Sequence, residues 1–450
     1  MNFAELDRSE PPSVAGAVSL CCPNREGHIF REYLHYGARA THAPPRYHLM
    51  ALLPCISHML VLQGWQIDVG EGKPKHPQVL TGLIGSSGAG KSTAGKLARK
   101  LTTKVMERLY ADDPQADPFL IADGSPQGIF HALGRFWRPE IEMTPAIAWQ
   151  DEFSLLLRRE DFADMFCRIY DGEDLKRHLR SHQRDVKKGE RREGDEDVKR
   201  PVLNGIFAST PGSLQAVVTS AQMEGGLFSR VSWIWESPDP RFMLFEVPDL
   251  TTYEAYLQQL VYAWYIGLGR ERAMNPELKH TPVIRMSDAA NALIREHVWN
   301  PALAEIARES RLGALFTRFT RLTKFVAGIY ALAGYRFEVG LEEAHAAVHL
   351  THALMKSVYR LDGQMATNDE ARFASKIEAI VLEAGTQGLR RWELMRRLRG
   401  MPKMERDKAL WALMDQQMVL EIKLPTGGRE ASVYVHEHWM RQRTEQNDPR

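Results

Sequence analysis

The chain has 450 residues, of which 44% are hydrophobic and 26% charged, and it carries a formal net charge of +1 at neutral pH. This length predicts two or three folded domains, and the composition excludes a disordered chain. The balanced charge excludes a molecule-wide electrostatic grip on nucleic acid, so any such contact must be local.

Residues 1–25 read as an irregular lead-in, without the basic and apolar regions of a signal peptide. "HIFREYLHYGARA" and "RYHLMALLPCISHMLVLQG" read as helices separated by "THAPP". The longest apolar run, residues 48–65, is interrupted by His48, Pro54, Ser57 and His58, which predicts a buried helix and not a membrane span. A cytoplasmic protein without membrane contact is expected. Cys21, Cys22, Cys55 and Cys167 lack metal-ligand spacing, so they are expected to be reduced, with no zinc site. "WQIDVGEGKPKHP" predicts a short hairpin.

"QVLTGLIGSSGAGKSTAGKLARKL" follows: an apolar strand, a glycine-rich loop and a helix without a gap. The loop fits G-x-x-x-x-G-K-[ST]. Gly85, Ser86, Ser87, Gly88, Ala89 and Gly90 would turn backbone N–H groups toward phosphates, and the helix would present its positive end to the same charge. Lys91 would reach the β- and γ-phosphates of ATP, and Ser92, followed by Thr93, would ligate Mg²⁺. "ADGSPQGIFHALGRF" predicts a helix starting near Ser125–Pro126. "TPAIAWQDEFSLLL" is an apolar strand ending in an acidic pair. Asp151 would hold the metal and Glu152 would activate water. "PVLNGIFAST" is a further strand, whose Ser209 and Thr210 could bond the lytic water or the γ-phosphate, or serve as turn residues before Pro211. In "FSRVSWIWES", a fourth strand, Arg230 lies where ring ATPases place an arginine that crosses to the neighbouring subunit. Strands alternating with helices predict a parallel sheet wrapped by helices.

Between the acidic pair and "PVLNGIFAST" the connection is far longer than two strands require. It includes "LKRHLRSHQRDVKKGERR", with eight Lys or Arg and two acids. Arg177, Arg180, Arg184, Lys187, Lys188, Arg191 and Arg192 could track nucleic-acid phosphates from an inserted hairpin. Without aromatics among them, no base readout is expected. The alternative is a solvated loop.

From about residue 250 to 360 the periodicity is helical throughout, with breaks at "AMNPELKHTP" and "AGYRFEVG". On it "LFTRFTRLTKFVAG" puts Arg318 and Arg321 on one helix, where one could act as a lid arginine on the γ-phosphate or both could face solvent. "DGQMATNDEA" reads as a linker. Residues 369–440 read as a winged helix of three helices and a hairpin. Its third helix mixes Lys403, Arg406 and Lys408 with acids, and the second is more basic, so DNA contact and docking against the ATPase ring both stand open. The tail 441–450 is expected to be disordered.

The ordered series "REYLHYGARATHAPPRYHLMALL", "TGLIGSSGAGKST", "WQDEFSLLL", "IYDGEDL", "PVLNGIFASTPGSL", "GGLFSRV" and "RFTRLTKFVAGIYALAG" resembles an uncharacterised P-loop ATPase family of phages, plasmids and integrated elements, encoded beside or fused to primases. The resemblance covers roughly residues 28–360 and implies a RecA/AAA-type core related to replicative helicases. By it, Lys91, Ser92, Asp151 and Glu152 carry nucleotide and magnesium, and Arg230 acts in trans. The residues before this series do not read as a primase module, so priming is not carried over.

The expected fold is α/β: a P-loop NTPase (RecA/AAA-type) core with helical N-terminal and lid regions, plus a C-terminal winged helix. Its expected domains are 1–75, 76–245, 246–361 and 369–440. The expected function is that of a Mg·ATP-dependent homo-oligomeric, hexamer-like ring acting on single-stranded or forked DNA. The alternative is an ATP-controlled assembly switch that binds a partner protein without unwinding. Phosphotransfer to a small molecule is the third reading, opposed by Glu152 and by the winged helix.

Overall fold

Parallel strands covered on both faces are expected to read as unbroken apolar runs, and the runs "LTGLI", "TPAIAWQ" and "PVLNGIFAS" pair in this way. In the computed structural model the described residues are 20–70, 72–121, 126–157, 160–177, 196–215, 217–218, 226–237, 249–280, 282–308, 312–399, 401–424, 431–437 and 439. They divide after Val358 into two compact units.

In the first unit the strands are, in chain order, β1 (Gln66–Ile67), β2 (Leu80–Ile84), β3 (Phe119–Ile121), β4 (Thr144–Gln150), β5 (Leu175–Arg177), β6 (Glu196–Val198), β7 (Pro201–Ser209), β8 (Ser232–Trp235), β9 (Val283–Met286) and β10 (Glu338–Val339). A five-stranded sheet has the order β3-β4-β7-β2-β8, with every neighbouring pair parallel. Every residue of β2 and β4 is buried. Ile84 pairs with both Ser209 and Trp235, and Gln150 pairs with Phe207. The segments following β2, β4 and β7 therefore leave the sheet at one edge, beyond the strands' carboxyl ends, where open α/β sheets bind ligands.

The Pro45–Leu62 helix buries every residue except Arg46 and packs on β2, β4 and β7. It is the core element expected from its interrupted apolar run. Among the described residues no helix is long and apolar enough to cross a membrane. The Lys91–Leu109 helix packs against it. On the sheet, Phe153 lies 5.0 Å from Phe207 and 5.0 Å from Trp233, and Phe228 stacks on Trp233 at 4.9 Å. Each such aromatic pair adds about 0.5–1.5 kcal/mol beyond its burial, and together they fix the chain immediately after the acidic pair.

Several elements differ from expectation. β3 joins the sheet although its run is too short to stand out from its surroundings. The fourth strand is shorter than read: Leu227–Arg230 form a 3₁₀ turn and only Ser232–Trp235 pair. The hairpin expected over 65–77 is reduced to one antiparallel bridge, Ile67 to Lys75. β1 instead pairs in parallel with β9, which pairs in parallel with β10. The region expected to be wholly helical thus contains two short strands, at the two breaks read from "AMNPELKHTP" and "AGYRFEVG". The residues of the expected linker lie within the Leu341–Glu383 helix. Gly363 is the one strong helix breaker in that stretch, and it costs about 1 kcal/mol relative to alanine, too little to end a long helix.

The second unit holds the helices Arg391–Arg397 and Lys403–Asp415 and the strands β11 (Leu389–Arg390), β12 (Val419–Leu424) and β13 (Ala431–His436). β13 lies between β11 and β12 and is antiparallel to both. Ile377, Val381, Leu394, Leu410, Leu413, Val419 and Tyr434 belong to its buried core.

Candidate functional site

The glycine-rich loop leaves β2 at the carboxyl edge of the sheet. Gly88 and Gly90 take φ of +80° and +81°, a region that penalises any side chain. A Cβ on Gly90 would lie 2.6 Å from that of Ala43, so both conformation and space demand glycine there. At Gly88 a Cβ would meet nothing within 4 Å, so there conformation alone favours glycine. Ser86, Ser87, Gly88 and Thr93 are exposed, Ser92 is half-buried, and Ala89, Gly90 and Lys91 are buried. The Lys91 ammonium donates to the carbonyl oxygens of Gly85 and Ser86, both at 2.8 Å. Burial lowers its pKa, and the charge of Glu152 opposes that shift. The helix that Lys91 opens has no acid in its first turn and no side-chain cap. Its first N–H groups and the dipole behind them point toward the loop and favour an anion.

Glu152 lies at the same edge. Its Oε1 accepts from the Ser209 hydroxyl at 2.6 Å and from the Ser154 hydroxyl at 2.9 Å. The Phe153 N–H donates to the Ala208 carbonyl at 2.8 Å, which ties the segment after β4 to the end of β7. The carboxylate is therefore aimed by two strands and two hydroxyls. Asp151 beside it is exposed. Ser209 and Thr210, offered together by the sequence, part company here. Ser209 is fully buried on Glu152. Thr210 caps the Pro211–Gln215 helix: its hydroxyl accepts from the Ser213 N–H and donates to the Ser213 hydroxyl. The turn-residue alternative thus holds for Thr210, because proline at N1 favours a threonine cap before it.

Hard divalent cations take oxygen ligands, and magnesium at a nucleotide site commonly keeps one or two protein oxygens beside water and phosphate. The Ser92 hydroxyl and Asp151 carboxylate fit that chemistry. Among the described residues no group of three or more His, Cys, Asp and Glu side chains could hold a metal ion by itself.

The arginines are elsewhere. Ser232 pairs with Thr81, so Arg230, which precedes it, lies at the amino edge of the sheet, on the order of 15 Å from the end of β2. It donates to both oxygens of Asp171, at 2.6 and 3.3 Å. The Glu160–Tyr170 helix leads from the Glu152 edge back to this one and delivers Asp171 there. Arg318 donates to the Ser229 hydroxyl, and the Arg321 guanidinium lies 5.8 Å from the Tyr170 ring. Arg318 and Arg321 thus gather around Arg230. This corrects the expectation of a lid arginine on the phosphates of its own chain: the Gly313–Ala333 helix delivers them to the wrong end of the sheet.

Of the basic run, Arg177 ends β5, which pairs antiparallel with β6 and sets Lys176 opposite Asp197 and Arg177 opposite Glu196. Arg180, Arg184, Lys187, Lys188, Arg191 and Arg192 lie outside the described residues.

Sequence reading missed the backing of the loop. "THAPP" was legible only as a break between helices, yet the His42 ring contacts the Gly88 carbonyl at 3.2 Å and Ala43 abuts Gly90. The Tyr47 hydroxyl donates to the carbonyl of Ile84 and, at 3.0 Å, to that of Glu236. Arg46 pairs with Glu236 at 2.7 Å. His48 bonds Thr41 at 2.8 Å, and burial pushes its pKa down to about 3. The Pro44–Pro45 pair was the one available signal, and it marks a turn without saying what the turn supports.

Comparison with models of known protein families finds no match, and none of the curated proteins matches the chain.

Proposed function

We propose that the chain is a Mg·ATP-dependent ATPase with a P-loop core of the RecA/AAA type, working as a homo-oligomeric ring on DNA. One observation carries this reading. The Lys91 loop follows a central strand, and the carboxylate of Glu152 stands at the same edge of the sheet, gripped by Ser209 of the intervening strand. Strand order, motif and carboxylate are mutually consistent, which no isolated glycine-rich turn would require.

In this reading the loop's N–H groups and Lys91 hold the β- and γ-phosphates. Ser92 and Asp151 would hold magnesium, which neutralises phosphate charge when bound. Glu152 accepts a proton from the attacking water. The water oxygen bonds to the γ-phosphorus while the bond from that phosphorus to the bridging oxygen breaks, and the electron pair leaves on ADP. Ser209 and Ser154 keep Glu152 oriented for that proton.

The second unit supports a winged-helix reading through its helices and antiparallel strands. Its Lys403–Asp415 helix exposes Met404 and Trp411 beside Asp407, Lys408 and Asp415. That face suits protein docking better than phosphate contact, so the basic 390–399 segment is the better DNA-facing candidate. The test of the whole reading is phosphate release by the wild-type chain with no nucleic acid, single-stranded DNA and forked DNA, beside Glu152→Gln. DNA-stimulated release that Glu152→Gln abolishes supports the reading. Absence of nucleotide hydrolysis under every condition overturns it, and hydrolysis indifferent to DNA removes the DNA from it.

A further inference from the structure

Resting on the ATPase reading above, we propose that Arg318 joins Arg230 as a second arginine that one subunit lends to the nucleotide of its neighbour, with Asp171 holding Arg230 until those phosphates displace it. Arg230 and Arg318 lie at the edge of the sheet opposite their own Lys91 loop, so neither can serve the nucleotide held there. They approach one another from segments 89 residues apart, joined by the Arg318 bond to the Ser229 hydroxyl. Both are half-buried. Arg318 is made less basic first by burial and then by the charge of Arg230. Two neighbouring guanidinium groups withdrawn from water repel each other, and an arriving polyanion relieves that repulsion.

The partners of the two arginines in the resting chain differ in a telling way. Arg230 has a carboxylate, Asp171, in a two-pronged pairing that imitates how a phosphate is gripped. Arg318 has a neutral hydroxyl. The Arg230 side chain is 12% exposed and that of Asp171 is 44% exposed, so the pair is reachable from one side and an incoming phosphate can exchange with the carboxylate. The cavity lined by Tyr170, Ser229, Arg230 and Arg318 measures about 10 Å³. It admits no more than a water molecule, so the anion must be presented from outside, as a neighbour's nucleotide would be. A guanidinium fork suits the spread charge of a phosphoryl group in transfer better than an ammonium does.

Subunit mixing tests this. Lys91→Ala subunits keep both arginines, and Arg318→Ala subunits keep the loop. Each variant alone is expected to lose roughly a hundredfold or more of phosphate release. Mixed in equal amounts they are expected to recover up to about a quarter of wild-type activity, since one interface in four joins an intact loop to intact arginines when subunits meet head to tail at random. A mixture no more active than its separate components, beside an active wild type, overturns the proposal. A wild type that neither binds nor hydrolyses ATP overturns the ATPase reading itself and is recognised separately. Arg318→Lys guards against a folding defect, with assembly read by mass photometry. It is expected to assemble like wild type with ADP but not with ADP plus aluminium fluoride, and assembly equal to wild type in both overturns the proposal.

Discussion

In the proposed ATPase the two edges of the parallel sheet would meet the same problem, binding phosphate, with opposite means. At the carboxyl edge one contiguous loop does most of the work: glycines open the backbone, Lys91 supplies the charge, and a single acid, Glu152, is held in register by its neighbours. At the amino edge, Arg230, Arg318 and Arg321 converge from two distant segments around Asp171 and Tyr170. In that proposal the first edge holds the loop and the acid within one chain but no arginine for the transition state. The second is rich in that charge and has no phosphate loop of its own. If the proposed function holds, the difference makes the chain half of two sites and not the whole of one.

The sharpest way to break this comparison is to remove the charge of the carboxyl edge. Lys91→Ala is expected to reduce phosphate release by about a thousandfold, with nucleotide affinity falling too when followed by a fluorescent ATP analogue. Unchanged binding and hydrolysis would mean that the loop is not a phosphate site. Glu152→Gln probes the same edge without touching the phosphates. It is expected to lower turnover by about a hundredfold or more while leaving nucleotide binding within a few fold of wild type. A proportional loss of binding would move Glu152 from proton acceptance to holding the ligand.

The two edges also differ in how readable they were. The carboxyl edge was legible because its chemistry is local: loop and acidic pair each occupy one short run, and consecutive apolar strands predicted that they would meet. The same locality made the buried 45–62 helix and the parallel sheet legible. The amino edge was not. Arg318 looked like a lid residue because a helical repeat states which residues share a face and nothing about which end of a sheet that face will meet. The backing of the loop was hidden for the same reason. Ala43 and Tyr47 matter because Gly90 and Gly85 leave no room, a fact of tertiary contact. The linker and hairpin readings failed by weighting local breakers over the pairing partners β9 and the long helix provide.

Within the carboxyl edge, Ser209 separates orientation from chemistry. Its hydroxyl is one of two that hold Glu152. Ser209→Ala leaves Ser154 in place and removes a hydrogen bond to a charged group, worth roughly 1.5 kcal/mol or more. The expected result is a fall in kcat of about tenfold with KM little changed. A change confined to KM would make Ser209 a nucleotide contact and not a support for the carboxylate.

The smallest effect is expected at the adjacent residue, and its smallness is informative. Ser209 ends β7 and Thr210 follows it, both carry hydroxyls, and sequence alone gives no reason to prefer one. The fold does: Ser209, the last residue of the strand, turns inward to Glu152, while Thr210, the residue before the next helix, caps it through Ser213. Thr210→Ala is therefore expected to cost about 1 kcal/mol of stability, as for other lost caps, visible as a lower midpoint in urea denaturation, with kcat within about twofold of wild type. Since an equal loss of turnover from both alanine variants would mean that the end of β7 acts as one polar surface toward the phosphates, measuring the pair side by side decides whether the site is built from β7 by a single hydroxyl or by two.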